Sequence, residues 1–348
     1  MEIIQQIFKA KQSDWIVGRL KPDNTPKPIQ QKELSAGQEY VTVELKSLRI
    51  PFVRKGWTKF YGVVHSYISL AYSGSSSTAE FTTVTVPQLL KDLDPSKLAN
   101  VVVVNQPVGG PVPYGGGTIT LELGLFSVRS QDLLGPFLDL LGTLSQQAGV
   151  AYVSQAMPFV VPIKKGIELL TGTGKDVDLQ IGIFDKSNSP TTGWYVVIGS
   201  DKQNSRLNLD QLCVDPHDGK LLDANKNAVT DFPYFVYTVS VSEQRDTWWN
   251  IPELKQKYDM LRNAIREQSG IQAVSQALTS LERYLLTSPD LLRKDALRIS
   301  QEVEKMVQTA CPALQQAAET VSTRGIRRGI QGGGSSDIGE LKQLQLYY

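Results

Sequence analysis

Through the first 245 residues, apolar and polar positions alternate with period two over several short stretches; beyond residue 250 they follow a helical period. Alternation marks a strand with one buried face, because successive side chains of an extended chain point to opposite sides. It is clearest at 40–48, where Val41, Val43 and Leu45 alternate with Thr42, Glu44 and Lys46. The habit recurs at 60–70, 80–86, 193–198 and 234–241, rich in the aromatic and β-branched residues that suit a pleated surface. Residues 99–104 are an apolar run short enough for a buried strand, and 119–128 and 177–184 are strand-like as well. The segment 109–117, dense in glycine and proline, reads as a stiff, bent connector.

Between 119–128 and 177–184 lies an apolar block interrupted by Pro136, Pro158 and Pro162. Proline lacks an amide donor and clashes with the preceding turn, so no single helix can run through it. The pattern predicts two short helices within about 131–171, the first opening at Pro136 and stopping at Gly149. The second spans about 162–171 and is capped at the glycines of 171–174.

From Pro252 the apolar positions fall on helical faces. Leu254, Tyr258, Leu261 and Ile265 form one; Val274, Leu278, Leu281 and Leu285 the next; Leu292, Ala296, Ile299, Val303, Met306 and Ala310 a third. Ser288, Pro289 and Asp290 supply the residue types of a helix start. Cys311–Pro312 separates a fourth helix, 313 to about 323.

The expected fold class is α+β: an N-terminal β-sandwich-rich region with an inserted helix pair, followed by a C-terminal α-helical bundle. The boundaries are an N-terminal arm at 1–35, a sheet region at 36–245 with its insertion at about 131–171, a bundle at 246–328, and a glycine-rich linker with an apolar tail at 329–348. The arm opens with Ile3, Ile4, Ile7 and Phe8, and Pro22, Pro26 and Pro28 break it.

Composition narrows the function. With 348 residues, 41% of them hydrophobic, the chain can bury a sizeable core, and a net charge of +1 argues against general nucleic-acid binding. Across 51–160 only about one residue in ten is charged, so that region is either wrapped by the rest of the chain or covered by a partner. Cys213 and Cys311 cannot build a disulfide framework and read as reduced. No signal-peptide pattern opens the chain and no apolar window is long enough to span a bilayer, which points to a cytoplasmic protein.

Candidate chemistry is sparse. His65 falls mid-strand and His217 in a turn, and no Gly-x-Ser-x-Gly turn accompanies either. The glycine-lysine sequence at 172–175 fails as a phosphate loop, because Asp176 replaces the hydroxyl residue and Leu169 the first glycine. The loop at 223–227 begins like a calcium-binding EF-hand, yet Ala228 and Tyr234 stand where glycine and glutamate belong. Loop carboxylates at Asp92, Asp94, Asp185, Asp215 and Asp218 leave a different calcium site conceivable, with surface turns the simpler reading. No catalytic residue, cofactor or metal ligand is assigned.

Two features suit a partner better than a substrate. Past the Gly332–Gly334 linker, the tail carries Ile338, Leu341, Leu344, Leu346, Tyr347 and Tyr348, as a peptide that docks into a groove would. Before it, Arg324, Arg327 and Arg328 form a possible processing or acidic-partner site. The leading expectation is a non-enzymatic cytoplasmic interaction subunit, an adaptor or effector component. It would bind a protein partner through its sandwich surface, helical bundle and tail. A second is a membrane-active or lipid-binding effector that releases the 131–171 helices on a trigger such as proteolysis. A third is a metal- or carboxylate-dependent enzyme.

Overall fold

The computed structural model describes residues 15–49, 54–55, 58–71, 78–85, 102–129, 177–187, 189–200 and 207–311, and for 54–85, most of 102–108, 122–129 and 177–186 only the backbone. The protein is mixed α+β. Its described part contains three α-helices and antiparallel sheets, two of them five-stranded.

That sheet comprises β1 (Ile16–Leu20), β2 (Tyr40–Arg49), β6 (Val102–Pro113), β9 (Gly193–Ile198) and β12 (Tyr234–Ser242), in the order β1-β9-β12-β2-β6. A second is built on β4 (Thr58–Ala71), β7 (Gly116–Arg129) and β8 (Val177–Ser187), with β3 (Arg54–Lys55) and β5 (Thr78–Thr85) both pairing with β4. A hairpin of β10 (Cys213–Val214) and β11 (Leu221–Leu222) completes the β structure.

β12 lies at the centre of its sheet, and Tyr234–Val239 are all buried, so the strand is covered on both faces. One face packs Ile16, Leu20, Trp194, Val196, Ile198, Tyr234 and Val236 against Leu212, Val214, Leu221 and Val229 of the β10–β11 region. The hairpin is pinned there because the amide of Leu221 donates to the Tyr234 hydroxyl at 3.0 Å. On the other face Tyr195 stacks on Tyr237, with ring centroids 5.2 Å apart and planes inclined by 16°.

The β6 edge of this sheet is poorly suited to further pairing, and one face of β1 is closely covered. β6 carries Pro107, Pro111 and Pro113, which offer no amide hydrogen. Over β1, Leu209 sits so close to Gly18 that a Cβ there would lie 2.4 Å from its Cδ1. Residues 27–32 run beside the start of β9. The Trp194 indole donates to the carbonyl of Lys27 at 2.8 Å, and the Thr192 hydroxyl to that of Gln30 at 2.6 Å.

Most strands stand where alternation places them. The 40–48, 60–70, 80–86, 119–128, 177–184, 193–198 and 234–241 stretches become β2, β4, β5, β7, β8, β9 and β12. Ile16–Leu20, within the stretch read as an arm, is a strand paired with β9. The 99–104 run starts a strand that continues through the expected connector to Pro113. This is possible because Gly110 adopts φ +94° and lets the backbone pass so near β2 that a Cβ would stand 2.1 Å from the carbonyl oxygen of Val41. The turn 114–115 is then held by the Tyr114 amide on the carbonyl of Glu39 (2.9 Å) and the Gly37 amide on that of Tyr114 (2.7 Å).

β7 and β8 are antiparallel neighbours, paired from Ile119 opposite Ser187 to Val128 opposite Val177 with a register shift between Leu125 and Phe126. The chain therefore leaves for residues 130–176 and returns at one end of this sheet. The expected helix pair at 131–171 lies outside the described residues. So do the 313–323 helix, Arg324, Arg327 and Arg328, and the whole tail with Ile338, Leu341, Leu344, Leu346, Tyr347 and Tyr348.

The helices are α1 (Pro252–Arg266), α2 (Ile271–Thr287) and α3 (Arg293–Ala310). Ser288, Pro289 and Asp290 do not start α3. Ser288 closes a turn, accepting from the amide of Asp290 on its hydroxyl (3.3 Å) and from that of Leu291 on its carbonyl (3.4 Å), and the helix begins at Arg293. Along α3 the buried face runs Ala296, Ile299, Val303 and Val307, leaving Met306 37% exposed. The chain divides into two compact units. One holds residues 1–247 together with Ser288–Asp295; the other holds Trp248–Thr287 and Ala296 onward. No helix among the described residues is long and apolar enough to cross a membrane.

Replacing Gly110 with alanine is expected to cost at least about 3 kcal/mol, from positive φ together with a backbone clash. Gly37→Ala, at φ +69° in open space, should cost about 1 kcal/mol. Chemical-denaturation midpoints of the two variants measure the difference.

Candidate interaction surface and a buried polar node

Within the first unit, the most demanding polar arrangement surrounds Tyr40. Its side chain is fully buried, and its hydroxyl donates to Oδ2 of Asp295 at 2.8 Å while accepting from the amide of Leu292 at 2.8 Å. The same Asp295 oxygen accepts from the amide of Arg245 at 2.8 Å. The Arg245 guanidinium reaches the carbonyl oxygens of Pro111 (2.9 Å) and Asp290 (3.1 Å). Tyr40 opens β2, Pro111 lies in β6, Arg245 follows β12, and Asp290, Leu292 and Asp295 belong to the segment that precedes and starts α3. One buried node thus ties three strand regions to the 290–295 segment, which lies 255 positions from Tyr40 and 50 from Arg245 at Asp295.

Desolvation drives the chemistry of this node. Burial pushes the Tyr40 hydroxyl far above the ordinary tyrosine range, and the Asp295 carboxylate adds to the shift, whereas the Leu292 amide and Arg245 oppose it. A neutral hydroxyl is what the geometry requires, because only the protonated form can donate to Asp295. Tyr234 behaves similarly, raised by burial to about 12. Such a node is a structural clamp. The Tyr40 hydroxyl has both its partners within the fold.

The other polar candidates are spent in their own turns. Asp215 Oδ1 accepts from the amide of His217 at 2.7 Å, and Asp218 Oδ1 from that of Lys220 at 3.1 Å. Asp223 Oδ1 accepts from the amides of Asn225 and Asn227. Asp218 also pairs with the Lys220 ammonium, which holds its carboxyl below the usual range. These are the tight turns expected at 215–219 and 223–227. His65 lies in β4 opposite Val84 and Gly124, and Asp185 in β8 opposite Leu121. Asp92 and Asp94 fall outside the described residues. Among the described residues, no group of three or more His, Cys, Asp or Glu side chains could hold a metal ion. Cys213 is buried, Cys311 half-buried, and neither is in a disulfide.

The helical unit is different in character. The large apolar side chains that stand exposed are Trp249, Met260, Ile271, Tyr284, Leu286, Leu297 and Met306, and all seven belong to it. The first unit has none among the residues whose side chains are described. Single exposed apolar residues are ordinary, so the concentration is what matters. Inside the unit Trp248 packs edge-on against Tyr258 at 5.1 Å, and the Tyr258 hydroxyl reaches the Met306 sulfur at 3.8 Å, joining α1 to α3. The Ser300 hydroxyl, donating to Glu282 at 3.5 Å, joins α3 to α2. Burial raises the Glu282 carboxyl above its ordinary value, and the nearby Glu304 raises it further. At the C-terminal ends of α1 and α3 lies an open cleft of about 550 Å³, lined by Asp259, Arg262, Asn263, Ile265, Arg266, Met306 and Ala310.

Comparison with protein-family models, with curated proteins and with solved structures finds no match to this chain.

The sign of the alkaline dependence follows from the raised tyrosines. Their contribution is whole below about pH 10, and is lost as pH rises further, because the unfolded chain ionises first. The melting temperature is therefore expected to fall above pH 10. Tyr40→Phe should lower stability near neutrality by about 3 kcal/mol, leaving a buried amide and a buried carboxylate oxygen each short of a partner, and should flatten the alkaline fall. Melting curves from pH 7 to 11 check both.

Proposed function

We propose that this chain is a non-enzymatic protein-interaction subunit of the cytoplasm, an adaptor or effector component that contacts a protein partner. In this reading the two larger sheets pack as a β-sandwich, the helices form a small bundle, and the partner meets the sandwich surface, the bundle and the C-terminal tail. The observation that carries it is that, among the residues whose side chains are described, the seven large apolar ones that stand exposed are all on the helical unit. Aromatic and methionine side chains, which make up four of the seven, are the residue types enriched where protein surfaces bury one another. The sandwich is supported by the turn at 114–115, which takes the chain directly from β6 of one sheet into β7 of the other. The bundle is supported by the Tyr258–Met306 and Glu282–Ser300 contacts among the three helices. Two cysteines held as free thiols accord with a reducing compartment.

Recovery of co-purifying protein on the full chain, against two variants, tests this reading. Met260→Glu with Leu286→Glu changes two exposed helix positions to residues of good helix propensity, so folding stability should move by no more than about 0.5 kcal/mol per site. If either position is an anchor of the interface, recovery should fall by at least about tenfold. Deleting residues 332–348 should reduce recovery as well. Unchanged recovery on the deletion removes the tail from the reading, and unchanged recovery on the double variant removes the helical surface.

A further inference from the structure

The cleft at the C-terminal ends of α1 and α3 has walls of two kinds. Arg262, Asn263 and Arg266 make the α1 wall polar and cationic, whereas Met306 and Ala310 make the α3 wall apolar. Arg262 and Arg266 are four positions apart, so their side chains leave neighbouring turns of one helix face, about 6 Å apart along the axis. Asp259 is the single acidic residue of the lining, so the cleft sets two cations against one carboxylate. At about 550 Å³ it has room for several side chains rather than a lone ion.

The fold accounts for one of these guanidiniums but not for the other. Arg266 lies in the last turn of α1, where a cation suits the helix dipole. Its ion pair with Glu267, at 3.6 Å, joins two exposed side chains and is screened by water. Arg262, one turn earlier, lacks that reason. Its guanidinium stands 5.8 Å from the centre of the Tyr258 ring and pairs with no carboxylate among the described residues. Like charges four positions apart on a helix repel, so the two arginines oppose each other until an anion lies between them. Tyr258 also reaches the Met306 sulfur at 3.8 Å, so one aromatic side chain braces the cationic wall against the apolar one.

We propose that this cleft receives an acidic segment of the protein partner, with carboxylates on Arg262 and Arg266 and an apolar side chain against Met306 and Ala310. Charge complementarity selects that occupant. A basic segment would face two guanidiniums, and a wholly apolar one would bury them without partners, at a cost the contact does not return. Guanidinium groups hold carboxylates through paired N–H donors, so each arginine takes one carboxylate in a fixed geometry. Asp259 repels a carboxylate at its own end, so the acidic groups gather toward Arg262 and Arg266. The inference rests on the proposed function for the existence of a partner and adds the chemistry that partner presents.

Fluorescence anisotropy of two synthetic peptides titrated with the full chain tests it. One peptide carries two glutamates four positions apart with a leucine between them; the other carries lysines in their place. The glutamate peptide is expected to bind at least about tenfold more tightly than the lysine peptide, and more weakly as salt rises. Arg262→Gln with Arg266→Gln should weaken it at least about tenfold, and Met306→Gln about threefold. Each change puts a good helix former at an exposed helix position, so the fold is retained. Tighter binding of the lysine peptide, no binding of either, or affinity unchanged in the arginine double variant overturns the proposal. Co-purification on the same double variant separates it from the broader reading: recovery that persists there keeps the interaction subunit and removes the cleft from it.

Discussion

The hydroxyl of Tyr40 holds together parts of the first unit that nothing local in the sequence connects. It donates to Asp295 and accepts from Leu292, and Asp295 in turn holds the amide that follows β12. A buried hydroxyl placed between a carboxylate and a backbone amide is stable only with both partners, because an unmet polar group in a low-dielectric interior costs more than a met one gains. The segment 288–295 is therefore bound to the sheet by its polar groups as well as by Leu291 and Leu292, which are buried beside them. This explains why eight residues lying between α2 and the body of α3 belong to the sheet unit.

Around the central strand of the first sheet, the fold supplies its own cover. β12 is buried on both faces, the β10–β11 hairpin seals one of them, Leu209 packs over β1 at Gly18, and prolines interrupt the edge strand β6. Among the residues whose side chains are described, the large exposed apolar ones all lie in the helical unit. That concentration of exposed apolar side chains in the helical unit underlies the functional reading.

Much of the sheet was legible in the sequence because alternation is a local signal: a half-buried strand reveals itself within six to ten residues. What escaped lacked that signal. β1 buries only Ile16 and Leu20 at its two ends, and a glycine and an arginine interrupt it. β6 passes through Gly109, Gly110 and three prolines, a composition that normally marks a turn. Ser288, Pro289 and Asp290 carry the chemistry of a helix start yet form a separate turn, since the backbone of 290–292 is held by Arg245 and Tyr40 before the helix can begin. Met306 and Val307 both continue a helical face within the tolerance of a 3.6 period, and packing chose Val307. The Tyr40 node was invisible for a different reason: its members are 255 positions apart, and no residue pattern announces such a pairing.

If that node is what binds 288–295 to the sheet, the amide of Leu292 reports on it directly. In Tyr40→Phe, native-state hydrogen exchange at Leu292 should accelerate by about a hundredfold or more, while the amides of β9 keep their protection. Unchanged exchange at Leu292 in a folded Tyr40→Phe protein would contradict the account, and would mean that apolar packing alone holds the segment in place.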